Sequence, residues 1–196
     1  VVTNPLDIMT YVAYKISGLD STKVIGMAGV LDSSRMNLLA SRILNKTLAD
    51  VNSLVLGTHG QTMAPAISNS TLNNKPIYES ADTDQVHDII ENTKARGAEI
   101  VSFLGTGSAF YAPSAGVFKM VKAIVEDTDE ILPCSCFLDG EYGFKDIYLG
   151  VPVKLGKGGL KEIVELAINA EEKDLLKKAA ESVKQTIESL EISTGK

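Results

Sequence analysis

Apolar residues recur at helical spacing in five stretches of the chain, and between these they alternate or run briefly together as strands do. NPLDIMTYVAYKISG (4–18) predicts a first helix. Asn4 suits the cap, Pro5 the first helical position and Gly18 the exit. KVIGMAG (23–29) predicts a short strand running into glycines. LDSSRMNLLASRILNKTL (31–48) then carries apolar residues at 38, 39, 43 and 44, close to one helical face. VNSLVLGTH (51–59) predicts a strand, and MAPAISNSTLNNKPIYE (63–79) a strand, a turn at Asn73-Asn74 and a second strand. TDQVHDIIENTKARGAEIVSFLG (83–105) predicts a helix that continues through a glycine. APSAGVFKMVKAIVED (112–127) resumes helical spacing at Val117, Met120, Val121 and Ile124. From ILPCSCFL (131–138) to DIYLGVPVKLG (146–156) the pattern is that of strands broken by GEYG and GKGG. The tail, AEEKDLLKKAAESVKQTIESLEIS (170–193), places Leu176, Ala179, Val183, Ile187 and Leu190 on one face with charges opposite.

Helices and short strands mix without regular strand–helix alternation, and neither a repeat nor a low-complexity linker interrupts them. The expected class is α+β, with residues 1–196 as one domain. Composition supports a packed core, since 44% of the 196 residues are hydrophobic and 22% charged. A formal net charge of −6 and dispersed lysines argue against a nucleic-acid groove, which needs clustered Lys and Arg. No apolar run approaches the roughly 20 residues that span a bilayer. VVTNPLD has neither the basic start nor the apolar stretch of a signal peptide. The chain also opens without a methionine, as a piece of a longer protein would. Cys134 and Cys136 sit two apart on an expected strand, on one face and too close for relaxed disulfide geometry. Two packed thiols in a reducing cytosol is the expectation, and it points to a cytoplasmic protein.

Several familiar chemistries find no support. GTGSAFYAPSAG (105–116) lacks the third glycine of a dinucleotide loop, and LGKGGLKEIVEL (155–166), which places glycines before an expected helix, lacks P-loop spacing. No G-x-S-x-G stands anywhere in the chain. A metal hydrolase built on His59 and His87 is disfavoured, because the only two histidines lie 28 residues apart with no ligand spacing, and no metal site is expected. A sharper grouping is Asn4, Asp32, Arg35 and His59. Asp32 and Arg35 are three apart at a helix start and share a face, and His59 stands between glycines at a strand end. Taken singly, each has a structural alternative: a helix cap, a solvated arginine, a packed histidine.

Set together with the residues around them, they form motifs. VTNPLD (2–7), GMAGVLDSSR (26–35) and THGQTMAP (58–65), with GTGSAFYAPSAG as a looser match, resemble the catalytic domain of the lactate and malate dehydrogenase family. Asn4 and Asp32 are 28 residues apart and Asp32 and His59 27, which fits the family too. The resemblance spans essentially the whole chain, and GMAGVLDSSR, HGQTM and FYAP look more like the malate branch than the lactate branch. It implies a C-terminal-domain fold of mixed helices and antiparallel strands, with the NAD-binding Rossmann domain absent from these residues.

The resemblance also implies roles. His59 would be the acid/base that takes the hydroxyl proton of a 2-hydroxy acid, and imidazole suits exchange near neutral pH. Asp32 would accept from its other ring nitrogen, fixing the tautomer and favouring the imidazolium. Arg35 would grip the substrate carboxylate with its planar fork. Asn4 would face both substrate oxygen and nicotinamide ribose. Met27 would lie against the nicotinamide, where plain core packing is the alternative, and Ser108 beside the substrate. Gln61 departs from the family, which usually has an aspartate there. The implied cofactor is NAD, the implied substrates malate and oxaloacetate, and the implied state a homo-oligomer, dimer or tetramer. Without the dinucleotide half the chain alone is expected to be inactive. Lactate dehydrogenase remains an alternative, as does a non-catalytic oligomerisation domain using apolar faces such as MNLLASRIL (36–44).

Overall fold

A computed structural model describes residues 1–190. The frame is a long hairpin of β6 (Glu130–Asp139) and β7 (Lys145–Gly156), antiparallel throughout, with a register shift beside Asp139. Most of both strands is buried, which is why their sequences read as nearly continuous apolar runs rather than as alternation. β2 (Val55–Gly57) and β3 (Met63–Pro65) extend the sheet in the order β3-β2-β7-β6, and β8 (Gly159–Ile163) pairs the end of β7. A small second sheet joins β1 (Val51–Asn52), β4 (Thr71–Leu72) and β5 (Lys75–Pro76). Its turn is the expected Asn73-Asn74 pair, both at positive φ, where asparagine is tolerated.

Among the described residues, five α-helices surround the sheets: α1 (Leu6–Ser17), α2 (Gly29–Ile43), α3 (Thr83–Leu104), α4 (Tyr111–Val125) and α5 (Ala170–Glu188). The main core gathers Leu132, Cys134, Leu149, Val151 and Val153 of the hairpin with Val30, Met120, Leu176 and Ala179 of the helices. A second cluster, including Met36, Ala40, Val55, Leu72 and Ile89, joins α2 to the small sheet and α3. Cys134 and Cys136 are buried free thiols, and burial pushes both well above the ordinary thiol range. No helix among the described residues is long and apolar enough to cross a membrane.

Several elements differ from the sequence reading. α1 starts at Leu6, so Pro5 occupies the cap position, and Asn4 makes no capping hydrogen bond. The Asn4–Pro5 peptide is cis. KVIGMAG is not a strand: it makes an isolated bridge, Gly26 to Ser135, in place of a ladder. VNSLVLGTH divides into β1 and β2 in different sheets. On α2 the buried stripe includes Met36, Leu39 and Ala40 while Leu38 is exposed, because the helix sits between the main sheet and α3. The glycines before GLKEI do not lead into a helix. They turn β7 back as β8, with Gly158 and Gly159 both at positive φ. In the tail helix Leu176, Ala179 and Val183 are buried as expected, and residues 191–193 of that expectation lie outside the described residues.

One row across the main sheet places the site. Gly26 bridges Ser135, Ser135 pairs Gly150, and Gly150 pairs Gly57. A Cβ on Gly150 would stand 2.4 Å from the Gly57 carbonyl oxygen, and one on Gly26 would stand 2.6 Å from Thr10 Oγ1. Three glycines therefore let two segments and α1 close over the hairpin at the same level. Those two segments lead directly to Met27 and to His59.

Candidate active site

His59 lies in the short loop between β2 and β3. The loop closes on itself: the Gly60 N–H donates to the Thr58 carbonyl at 3.0 Å, and the Met63 N–H to the Gly60 carbonyl at 3.1 Å. The hydroxyls of Thr58 and Thr62 meet at 2.7 Å across it. His59 is held half-buried by this loop, with its Nδ1 2.7 Å from Oδ2 of Asp32.

Asp32 sits in the first turn of α2 with its side chain only 1% exposed. As the acceptor facing Nδ1, its carboxylate assigns the proton to that nitrogen and leaves Nε2 free for exchange. Burial alone would pull the imidazole down. The hydrogen bond and charge of Asp32, aided by the charge of Asp7, outweigh burial and the repulsion of Arg35, so the His59 pKa is raised.

One helical turn on, Arg35 reaches Oδ1 of Asp32 with Nη1 at 3.4 Å, a long and weak contact. Its buried Nε has no hydrogen-bond partner among the described residues. Helix α3 passes alongside at Gly97, where a Cβ would be 3.6 Å from Nη1. A guanidinium held this way keeps donors in reserve, and an unpaired buried N–H is unfavourable until an acceptor meets it.

These groups open on a cleft of about 830 Å³, lined by Asn4, Met27, Arg35, His59 and Ser108, with Phe110 among its apolar walls. Asn4 arrives because residues 1–3 run beside 25–27: the Val1 amino group donates to the Ile25 carbonyl at 2.7 Å and its carbonyl accepts from the Met27 N–H at 2.9 Å. Met27 is a core residue that floors the cleft, packed against α4 where that helix has Gly116. Ser108 follows Gly105 and Gly107, both at positive φ, in the turn from α3 to α4. The structure thus gathers all six residues singled out in the sequence, five lining the cleft and Asp32 behind His59. His87 is exposed on α3. Among the described residues, no group of three His, Cys, Asp or Glu side chains is placed to hold a metal ion.

A raised imidazole, an unsatisfied guanidinium and an amide in one cleft suit an anionic substrate that must exchange a proton. Residues 29–193 match the family model described as lactate/malate dehydrogenase, alpha/beta C-terminal domain. The chain belongs to this family. It is 44% identical over 188 residues to the malate dehydrogenase of Chloroherpeton thalassium, covering 96% of the chain and 61% of that relative. The structure of malate dehydrogenase from Salinibacter ruber matches with a TM-score of 0.91 at 44% identity, covering 94% of this chain and 60% of that one. Lactate dehydrogenase from Eimeria maxima, solved with NADH and oxamate, matches with a TM-score of 0.92 at 35% identity, covering 96% and 58%. The chain therefore spans about 60% of the length of the relatives it matches. The α+β architecture of helices on antiparallel strands is that of this family's C-terminal domain.

Two residues around His59 escaped the sequence reading. Asp7, on the buried face of α1, accepts the His59 backbone N–H through Oδ2 at 3.1 Å. Its Oδ1 accepts the Ser135 hydroxyl at 2.6 Å. The signal was present, since an acidic residue among Leu6, Ile8 and Thr10 interrupts the inward face of a helix. Ser135 gave none, lying 128 residues away on a strand.

Proposed function

We propose that this chain is the catalytic and substrate-binding part of an NAD-dependent dehydrogenase of 2-hydroxy acids, interconverting malate and oxaloacetate. The observation that carries the reading is the His59–Asp32 pair standing in one cleft with the unpartnered Nε of Arg35. In the oxidising direction, Nε2 of His59 takes the proton from the substrate hydroxyl and becomes imidazolium, which the Asp32 carboxylate stabilises in place. In reverse, the same nitrogen returns it to the carbonyl oxygen. Arg35 binds the substrate carboxylate and so fixes which carbon faces the cleft. Asn4, lining the same cleft, donates toward the reacting oxygen.

NAD, when bound, would supply the hydride acceptor, with Asn4, Met27 and His59 facing its nicotinamide end. The residues present fit only that end, since neither glycine-rich stretch has the spacing of a dinucleotide loop. The chain by itself is therefore expected to show negligible turnover, because holding donor and acceptor at reacting distance supplies much of the rate. Relatives named malate dehydrogenase at 42–45% identity favour malate over lactate.

The test is to join the chain to the nucleotide-binding half of a relative and follow NADH oxidation with oxaloacetate and with pyruvate. Oxaloacetate is expected to be the better substrate. His59→Asn is expected to lower kcat by about 10²- to 10⁴-fold. Arg35→Lys is expected to raise KM by about 10-fold or more, through loss of the fork. Robust turnover by the unjoined chain, or full activity of His59→Asn, would overturn the reading.

A further inference from the structure

Asp32 orients the ring of His59, but a ring is only as fixed as the backbone that carries it. That backbone is a loop whose flanking residues, Gly57 and Gly60, resist motion least. Among the described residues, this backbone's one side-chain hydrogen bond from outside the loop comes from Asp7, whose Oδ2 accepts the His59 N–H at 3.1 Å while Oδ1 accepts the Ser135 hydroxyl at 2.6 Å. Ser135 is itself pinned within the row that joins Gly26, Gly150 and Gly57. Three elements thus meet on one residue: α2 holds the ring, α1 holds the amide, and β6 holds the carboxylate of α1.

We infer that Asp7 is a positioning residue, which fixes the His59 loop so that the imidazole stays against Asp32 with Nε2 turned to the cleft. This deepens the dehydrogenase reading and rests on it for its meaning in catalysis. A purely structural role fits the surroundings poorly. Asp7 is 4% exposed and, among the described residues, pairs with no Lys or Arg; its hydrogen-bond partners there are the Ser135 hydroxyl and the His59 amide. Burial pushes it up to about 6, against the pull of both hydrogen bonds and of the His59 charge. A leucine would suit the core better. A cavity of about 170 Å³ lies behind the loop, lined by Asp7, Thr58, His59 and Thr62 and, from α5, by Ser182 and Thr186. The titratable groups facing Asp7 are thus His59 on the loop and Cys136 on β6, and α5 contributes only hydroxyls.

The chain has two histidines, so imidazole signals can be followed one by one by ¹⁵N NMR in the protein as it stands. Asp7→Leu removes the acceptor. Asp7→Asn keeps one for the His59 amide, with the Ser135 hydroxyl turned to accept from the new NH₂. In Asp7→Leu we expect the His59 Nδ1 proton signal to broaden away, its titration midpoint to fall, and its amide to exchange about 10- to 100-fold faster. Asp7→Asn is expected to restore the amide protection and the Nδ1 signal. A folded Asp7→Leu protein with all three readouts unchanged would overturn the inference, as would Asp7→Asn behaving like Asp7→Leu. Should Asp7→Leu fail to fold, Ser135→Ala carries the test. It frees the Asp7 carboxylate and is expected to speed His59 amide exchange, and unchanged exchange would count against us. In the joined enzyme Asp7→Leu should lower kcat with little change in KM. If the His59 signals respond but no variant, nor the unmutated enzyme, reduces oxaloacetate, the dehydrogenase reading fails while the positioning role stands. If oxaloacetate is reduced and the His59 signals never move, the reverse holds.

Discussion

Two carboxylates flank His59 and their environments set them apart. Asp32 faces the cationic side of the site, with the imidazole on one oxygen and the Arg35 guanidinium on the other. Asp7 has neutral donors and an almost dry setting, and burial raises it from 3.8 to about 6. A raised carboxyl binds more protons in the folded than in the unfolded chain between these values, so its contribution to stability falls as pH rises through that window. Above the window the full penalty applies, and the gap corresponds to about 3 kcal/mol. Asp7→Asn, which has no charge to bury, is therefore expected to gain on the unmutated protein between pH 4 and 6 and to hold an advantage of up to about 3 kcal/mol at pH 7. Urea midpoints across that range would check it, and a constant difference from pH 4 to 7 would contradict it. The same site shows what the sequence carried. Asn4, Asp32, Arg35 and His59 were legible because each lies in a short motif of fixed spacing. Asp7 offers only a local signal, an aspartate on the inward face of a helix. Its real partners come from a loop and a strand distant in sequence, and no local pattern encodes that meeting.

At the scale of elements, the row Gly26–Ser135–Gly150–Gly57 explains why the two site-bearing segments lie side by side. β2 pairs with β7 at a single position, Gly57 with Gly150, and the segment 23–29 bridges β6 at Gly26. Gly150→Ala puts a methyl 2.4 Å from the Gly57 carbonyl oxygen, a backbone atom with no rotamer to yield. We expect this change to cost about 1–3 kcal/mol, as overpacking typically does, and to displace the His59 loop. Denaturant unfolding measures the first effect and the His59 amide shift the second. Gly60→Ala is the control, since a Cβ there meets nothing within 4 Å. Periodicity found α1, α2, α4 and α5 because each has a buried stripe. It misassigned KVIGMAG, whose buried apolar residues stand beside a lone bridge rather than in a ladder. It misread GLKEI as well, where a five-residue return strand follows a glycine turn. Contacts of one or two residue pairs leave no period to detect.

For the molecule as a whole, α4 is the element with two apolar faces. Gly116, Met120 and Ala123 are buried against the core, whereas Phe118, Val121 and Val125 form an outward stripe at helical spacing, 68%, 50% and 77% exposed. Tyr111, 84% exposed, extends the stripe to the start of α4, two turns before Phe118, and Phe103 near the end of α3 is 81% exposed. Monomeric proteins rarely leave contiguous apolar surface of this kind open. The lysine and glutamate side chains around it do not offset it either, since exposed ion pairs such as Lys122–Glu126 at 3.9 Å add little. Sedimentation of the chain should therefore show association that grows with concentration. Phe118→Ser combined with Val125→Ser should shift it toward monomer, and since neither side chain is buried, the thermal midpoint should stay nearly unchanged. Joining the nucleotide-binding half separates two origins for the association. If it persists in the joined protein and still responds to the double change, the stripe is a contact between copies of that protein. If it disappears on joining, the stripe belongs to the seam between the two halves. A clean monomer at high concentration in the unjoined chain would show that the stripe drives neither.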